Sequence, residues 1–220
     1  MLNRVPVITI DGPGGTGKGT ISQLLCQKLG WHFLDSGVLY RALALASLKK
    51  GVQTSDIQAL VQLAENLALQ FQGSKIFLDG QEVTQEIRTP ECGQVASVVS
   101  AYAPVRAALL ERQRAFRQAP GLVTDGRDMG TVVFPDADVK IYLDASPKAR
   151  AERRFAQLQE KKINVSLAHV LAELSERDKR DEERAVAPLR PAEDACILDT
   201  TALSVEEVFD RVCKMASRFL

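Results

Sequence analysis

The sequence predicts an α/β fold with a parallel five-stranded sheet flanked by helices, on three observations. Short apolar runs of strand length alternate with longer segments of helical apolar spacing. The runs are short and mainly apolar, with the buried character of strands covered on both faces. The first of them ends in a glycine-rich turn that carries a single lysine and leads into a helical segment.

Taken in order, strands are expected at Val5–Ile10, Trp31–Leu34, Leu122–Thr124, Val139–Leu143 and Ala195–Leu198. Helices are expected over about Lys18–Leu29, Gly37–Lys49, Val105–Arg117, Pro147–Gln159, Leu167–Arg184 and Val205–Arg218. Ser146 before Pro147 and Ser204 before Val205 are helix-start signals. The alternation breaks over residues 54–100. There Ile57–Leu69 has helical spacing, and Lys75–Leu78, Asp79-Gly80 and Glu82–Thr84 form a hairpin pattern. This stretch is expected to be a subdomain inserted into one domain spanning residues 1–220. Glu160–Asn164 reads as a hinge or loop between two charged helices.

At 220 residues the chain is long enough to bury a substantial core. Lysine plus arginine equals aspartate plus glutamate at 28 each, so no overall field draws the protein to nucleic acid. An aromatic content of 5% also argues against a base-stacking surface. No apolar stretch approaches the roughly 18 residues that a spanning helix needs, and the N-terminus lacks a signal-peptide layout. A cytoplasmic protein without membrane or nucleic-acid partners is therefore expected. The cysteines Cys26, Cys92, Cys196 and Cys213 form no C-x-x-C pair and are assigned no metal or redox role.

The turn after the first strand is Gly12-Pro13-Gly14-Gly15-Thr16-Gly17-Lys18-Gly19-Thr20. Its glycines let successive N–H groups turn inward onto phosphate oxygens, and the next helix presents its positive end beside them. Lys18 is placed to reach the β- and γ-phosphates, and the Thr20 hydroxyl to bind Mg²⁺ carried with ATP. Gly19 stands where the common pattern has its hydroxyl residue. The resulting G-K-G-T spelling is similar to the loops of nucleoside monophosphate kinases.

In open α/β sheets ligands bind beyond the carboxyl ends of the strands. Asp11, Asp35-Ser36-Gly37, Asp125-Gly126-Arg127-Asp128 and Asp199-Thr200 each follow an expected strand, which gathers them on one rim. Singly, each is also an ordinary turn or cap sequence.

The chain resembles the bacterial cytidylate kinases almost end to end. The likeness is carried by G-P-G-G-T-G-K-G-T at 12–20, L-D-S-G-V-L-Y-R at 34–41, E-I-R-T-P-E at 86–91, D-G-R-D-M-G-T-V-V-F-P-D-A at 125–137 and R-A-V-A-P-L at 184–189. It implies transfer of the γ-phosphoryl of ATP to CMP or dCMP, with Mg²⁺, and a monophosphate-binding insertion around 54–100. The resemblance places Arg41 and Arg127 on the acceptor phosphate, Asp128 and Ser36 near the cytosine amino group, and Arg106 and Arg184 facing its acceptors. Ser97, Arg177 and Asp181 resemble the ribose-contacting set. A carboxylate and a hydroxyl suit an amino donor, and arginines suit acceptors. Arg177 and Asp181, at i and i+4, read equally as a surface ion pair, although Arg184 shares their helix face.

Basic side chains crowd between Lys148 and Arg190, among them Arg150, Arg153, Arg154 and Lys161, with acidic residues interleaved. Residues 148–184 are expected to form a helical lid over ATP, with Arg153 joining Lys18 and Arg127 as catalytic cations. A GTPase is disfavoured because no N-K-x-D element occurs. An energy-coupling ATPase is disfavoured because Thr124-Asp125-Gly126-Arg127 offers no glutamate to activate water. The protein is expected to act as a monomer on ATP and CMP or dCMP.

Overall fold

The computed structural model describes residues 4–73, 75–160 and 162–220, so Lys161 of the expected hinge and lid lies outside the described residues. In chain order the elements begin with β1 (Val7–Asp11), α1 (Lys18–Leu29), β2 (His32–Asp35), α2 (Ser36–Lys50) and α3 (Ile57–Glu65). There follow β3 (Leu69–Gln72), β4 (Lys75–Leu78), β5 (Gln81–Glu82), α4 (Pro90–Val99) and α5 (Ala103–Arg114). The remainder comprises β6 (Leu122–Gly126), β7 (Val139–Asp144), α6 (Pro147–Glu160), α7 (Leu167–Glu182), β8 (Cys196–Asp199) and α8 (Val205–Met215).

The chain divides into two compact units, one of residues up to Leu34 together with Phe116–Leu220, the other Asp35–Ala115. The first is built on a five-stranded sheet in the order β2-β6-β1-β7-β8. β1 runs parallel to β6 on one side and β7 on the other, and β7 runs parallel to β8. Every residue of β1 and β6 is buried, which accounts for their mostly apolar start, with Asp11 and Asp125 near their carboxyl ends. Ile21 and Leu25 of α1 and Val208 and Val212 of α8 pack with Ile8, Ile10, Val123, Ile141 and Leu143 in one core. Because β6 lies on one side of β1 and β7 on the other, the strand order reverses at β1. The crevice beyond its carboxyl end is thus the switch point where such sheets take ligands. α6 and α7 hold a small core of their own, Ala151, Leu158 and Val170, flanked by Phe155, Ile163, Val165 and Leu174.

The second unit combines α2, α3, α4 and α5 with the antiparallel sheet β3-β4-β5. It contains the 54–100 stretch together with α2 and α5. α2 packs on α4, and α3 on α5, burying Leu39, Leu43, Leu60, Ile87, Val99 and Leu109 completely.

Several boundaries differ from those read in the sequence. β1 starts at Val7 and extends through Asp11, and α3 stops at Glu65 instead of Leu69. Leu69 belongs to β3, whose residues pair with β4 from Leu69 opposite Leu78 to Gln72 opposite Lys75. The expected hairpin is therefore the second half of a three-stranded sheet. Its Asp79-Gly80 turn takes positive φ at both residues (51° and 77°), as a tight hairpin needs. α4 is an additional helix. Thr89 caps it by accepting from the Cys92 N–H at 3.3 Å, and Pro90 sits in its first turn.

α8 starts at a complete capping box: Ser204 Oγ accepts from the Glu207 N–H at 3.2 Å while Glu207 accepts from the Ser204 N–H at 2.8 Å. Because α8 supplies much of one sheet face's cover, loosening its first turn is felt in global stability. Ser204→Ala is expected to cost about 1 kcal/mol and lower the melting temperature by about 2–4 °C, read by circular dichroism. An unchanged melting temperature would show that the box adds nothing to the folded state.

Candidate active site

The glycine-rich turn follows β1 directly. Gly12 has φ 147°, and a Cβ there would lie 2.0 Å from the Leu143 carbonyl oxygen of β7, so only glycine lets the chain turn so close to its neighbour. Gly15 has φ 84°, and a Cβ on it would come within 2.9 Å of Arg150. Gly17 occupies the cap of α1 without a side-chain cap bond, which leaves the first-turn N–H groups available to an anion. Lys18 opens the helix and donates from Nζ to the Pro13 carbonyl at 2.9 Å; Thr16 Oγ1 donates to the same oxygen at 3.2 Å. Thr20 is exposed in that first turn. Close by, Asp125 Oδ2 lies 3.7 Å from where a Cβ on Gly19 would stand.

The outer side of the loop is held by α6 and by the turn after β8. Arg150 is buried and donates from Nη1 to the Gly14 carbonyl at 3.1 Å, from Nε to the Ala145 carbonyl at 2.9 Å, and to Asp178 of α7. Thr200, fully buried, donates to the Asp144 and Thr16 carbonyls at 3.0 and 3.3 Å. Arg153 donates to Thr200 Oγ1 at 3.0 Å, to the Thr200 carbonyl, and more distantly to the Thr16 carbonyl at 3.5 Å. Arg153 thus rests on the wall of the loop.

Beyond β6 stands a second group of charges. Arg127 donates from Nε to Asp181 Oδ2 at 2.8 Å, and Arg177 and Arg184 lie 3.9 and 4.0 Å from the same carboxylate. Burial works to raise the Asp181 carboxyl, but the guanidinium groups of Arg127, Arg177 and Arg184 outweigh it and hold it below the ordinary range. Burial likewise opposes the Arg127 charge, and Asp181, with Asp178 and Asp125 behind it, more than restores it. The four residues form one cluster, which answers the choice left by their spacing: Arg177 and Asp181 are not an isolated surface pair. Asp128 is buried at the end of this segment and precedes a single π-type turn, Met129–Val133. That turn is anchored from β1, where the Asp11 carboxylate accepts from the Met129 and Gly130 N–H groups at 2.9 and 2.8 Å.

The remaining candidates belong to the second unit. Ser36 is buried at the first position of α2. Arg41 donates to the Ile87 carbonyl at 2.9 Å and runs past Gly93, where a Cβ would meet its Nη atoms at 3.1 Å. Ser97 is buried on α4, and its carbonyl accepts from Ser100 Oγ at 3.0 Å. Arg106 is buried on α5, donates to the Ser100 carbonyl at 3.2 Å, and stands 5.5 Å from the Tyr40 ring centre in a cation–π contact. Arg41 and Arg106 are thus both held by backbone carbonyls of the 87–100 segment.

Sequence reasoning left Asp178 without a role and saw Arg150 only as one of several lid cations. Both lie in charge-dense helices where a buried pair and a solvated face are spelled alike, and no local signal separates them. Asp11 stood out only as a rim residue, since its backbone partners are more than a hundred positions away.

A family model described as Cytidylate kinase matches residues 8–218. Curated cytidylate kinases are similar along nearly the whole chain. That of Aeromonas hydrophila is 56% identical over 100% of this chain and 97% of its own length. That of Nitrosococcus oceani is 55% identical over 96% of both. That of Stutzerimonas stutzeri is 57% identical over 96% of this chain and 95% of its own.

Burial pushes the Asp11 carboxyl up to about 6, against the lowering effect of the Gly130 and Met129 N–H groups. Between the unfolded value near 3.8 and this native value, the folded state binds more protons than the unfolded one. Stability contributed at Asp11 therefore falls as pH rises from about 4 to about 6 and is level above, a change of up to about 3 kcal/mol. The difference in urea-unfolding free energy between the wild type and Asp11→Asn should follow that course. A difference that stays constant from pH 4 to 7 would show that folding does not raise the Asp11 midpoint.

Proposed function

The chain belongs to the cytidylate kinase family and transfers the γ-phosphoryl group of ATP to CMP or dCMP, and we propose that Gly12–Thr20 holds the donor phosphates. The observation that carries this reading is the loop at the sheet's switch point, with its lysine opening α1 and the cap of that helix left to an anion. Phosphoryl transfer asks for charge neutralisation and in-line alignment, for which the protein need supply no nucleophile of its own. Lys18 stabilises charge on the migrating group. It exchanges the Pro13 carbonyl for phosphate oxygen when ATP enters.

The donor set near the helix start suits Mg²⁺, since the Thr20 hydroxyl and the Asp125 carboxylate are hard oxygens. Mg²⁺ bound with ATP neutralises the β- and γ-phosphate charge. Arg41 and Arg127 hold the acceptor phosphate. Asp128 and Ser36 receive the cytosine amino group, Arg106 and Arg184 face its acceptors, and Ser97, Arg177 and Asp181 serve the ribose. Residues 148–184 act as a lid, supported by the small separate core of α6 and α7. Arg153 reaches the transferred phosphoryl group by leaving Thr200 as the lid closes. The enzyme acts as a cytoplasmic monomer on small-molecule nucleotides; no described helix is long and apolar enough to cross a membrane.

Lys18→Met is expected to lower kcat by roughly 10³ or more with the fold intact, the scale of losing a transition-state cation. A coupled ADP-release assay measures it, and near-normal turnover would remove Lys18 from the mechanism. Asp128→Ala should reduce kcat/KM for CMP far more than for UMP. An ionised carboxylate attracts the cytosine amino donor and repels the uracil oxygen, a difference of about 2 kcal/mol. Equal losses for both nucleotides would assign base selection elsewhere.

A further inference from the structure

Asp178 and Arg150 form a buried pair to which the family reading assigns no part. Both side chains are about nine-tenths or more buried. Asp178 Oδ2 accepts from Arg150, while its Oδ1 is buried and meets no hydrogen-bond donor among the described residues. Burying two charges in this way is poor engineering for stability alone. Desolvating both is costly, and apolar side chains of similar volume often serve as well or better. What apolar residues would not supply is the bond Arg150 makes to the loop itself, from Nη1 to the Gly14 carbonyl.

Four further contacts bear on the same place. Arg150 packs so closely on Gly15 that a Cβ there would meet it at 2.9 Å, and its Nε is fixed by the Ala145 carbonyl just past β7. Leu174, one turn before Asp178 on α7, lies 3.3 Å from where a Cβ on Gly14 would stand. Asp181, one turn after it, holds Arg127. One face of α7 therefore touches the loop through Leu174, steers Arg150 through Asp178 and grips Arg127 through Asp181.

We infer that Asp178 is a positioning residue that, by aiming the Arg150 guanidinium at the Gly14 carbonyl, fixes the phosphate loop in the shape that receives the donor nucleotide. The inference rests on the reading that this loop binds ATP. With the Gly14 carbonyl drawn outward to Arg150, the peptide units that follow keep their N–H groups turned to the phosphate side. Without the Asp178 charge, Arg150 keeps its two carbonyl acceptors but loses the group that selects its orientation. Donor binding should then weaken, while the acceptor, held by other side chains, should be little affected.

The test is isothermal titration of the whole chain with Mg²⁺–AMP-PNP and, separately, with CMP, for the wild type, Asp178→Asn and Arg150→Lys. Lysine keeps the charge beside Asp178 but cannot serve the Gly14 and Ala145 carbonyls as well. Each variant is expected to weaken AMP-PNP binding at least tenfold and CMP binding no more than about threefold, with KM for ATP rising more than kcat falls. Unchanged AMP-PNP affinity overturns the inference, and so does equal weakening of both ligands, which marks a merely structural pair. If Asp178→Asn does not fold, Arg150→Lys decides by the same comparison. A wild-type chain that does not bind AMP-PNP removes the reading of the loop and this inference together, whereas wild-type binding retained in full by both variants removes this inference alone.

Discussion

A loop that turns its N–H groups inward to a phosphate must turn its carbonyls outward, because each peptide plane carries both. Those carbonyls need donors of their own, which the loop and the rest of the first unit provide. The Pro13 carbonyl takes Lys18 and Thr16, the Gly14 carbonyl takes Arg150, the Thr16 carbonyl takes Thr200, and the Gly17 carbonyl takes the Ile21 N–H of α1. The donors come from the loop itself, α6, the turn after β8 and the following helix. The glycine-rich loop is therefore a short sequence motif whose shape is set by side chains as much as 184 positions away.

The same accounting explains where charge is buried. Arg150 and Arg127 are needed beside the loop, and each brings a desolvation cost that only a nearby carboxylate offsets. α7 supplies both carboxylates from one face, Asp178 and Asp181, three positions apart. On its solvent side the same helix carries the Glu176–Arg180 pair at 2.7 Å, which is exposed and contributes about 0.5 kcal/mol at most. One helix thus carries a marginal pair on its solvent face and two buried carboxylates on the other.

That contrast marks the limit of what the sequence tells. The strands of the five-stranded sheet and the span of α1 were legible, because short, mainly apolar runs mark the strands even where β2 and β8 are largely exposed, and a glycine-rich turn punctuates strand from helix. The place of the glycine-rich loop between β1 and α1 was legible for the same local reason. β3 was not: Leu69 continues a helical spacing, and only pairing with β4 makes Leu69–Gln72 a strand. α4 carried a readable signal in Thr89-Pro90-Glu91, a cap with a first-turn proline and an acid, but its body is short and only weakly amphipathic. The partnership of Asp178 with Arg150, and that of Asp11 with Met129 and Gly130, were beyond reach, since each is made by packing between distant segments.

On the proposed reading, the position of Lys18 asks little change of the loop when a nucleotide binds. In this structure its ammonium group donates to the Pro13 carbonyl, and on the proposed reading it turns from that acceptor toward a phosphate oxygen. Losing that donor would ordinarily strand a buried carbonyl. Thr16 Oγ1 already donates to the same oxygen, so the carbonyl stays satisfied when Lys18 leaves. On that reading the exchange replaces a charge-to-dipole contact with a charge-to-charge one, while the surrounding backbone is held in this structure by Arg150 and Thr200. Because the loop is held from outside before any nucleotide arrives, little binding energy is lost to ordering it, and more remains for the interactions that strengthen as the phosphoryl group moves.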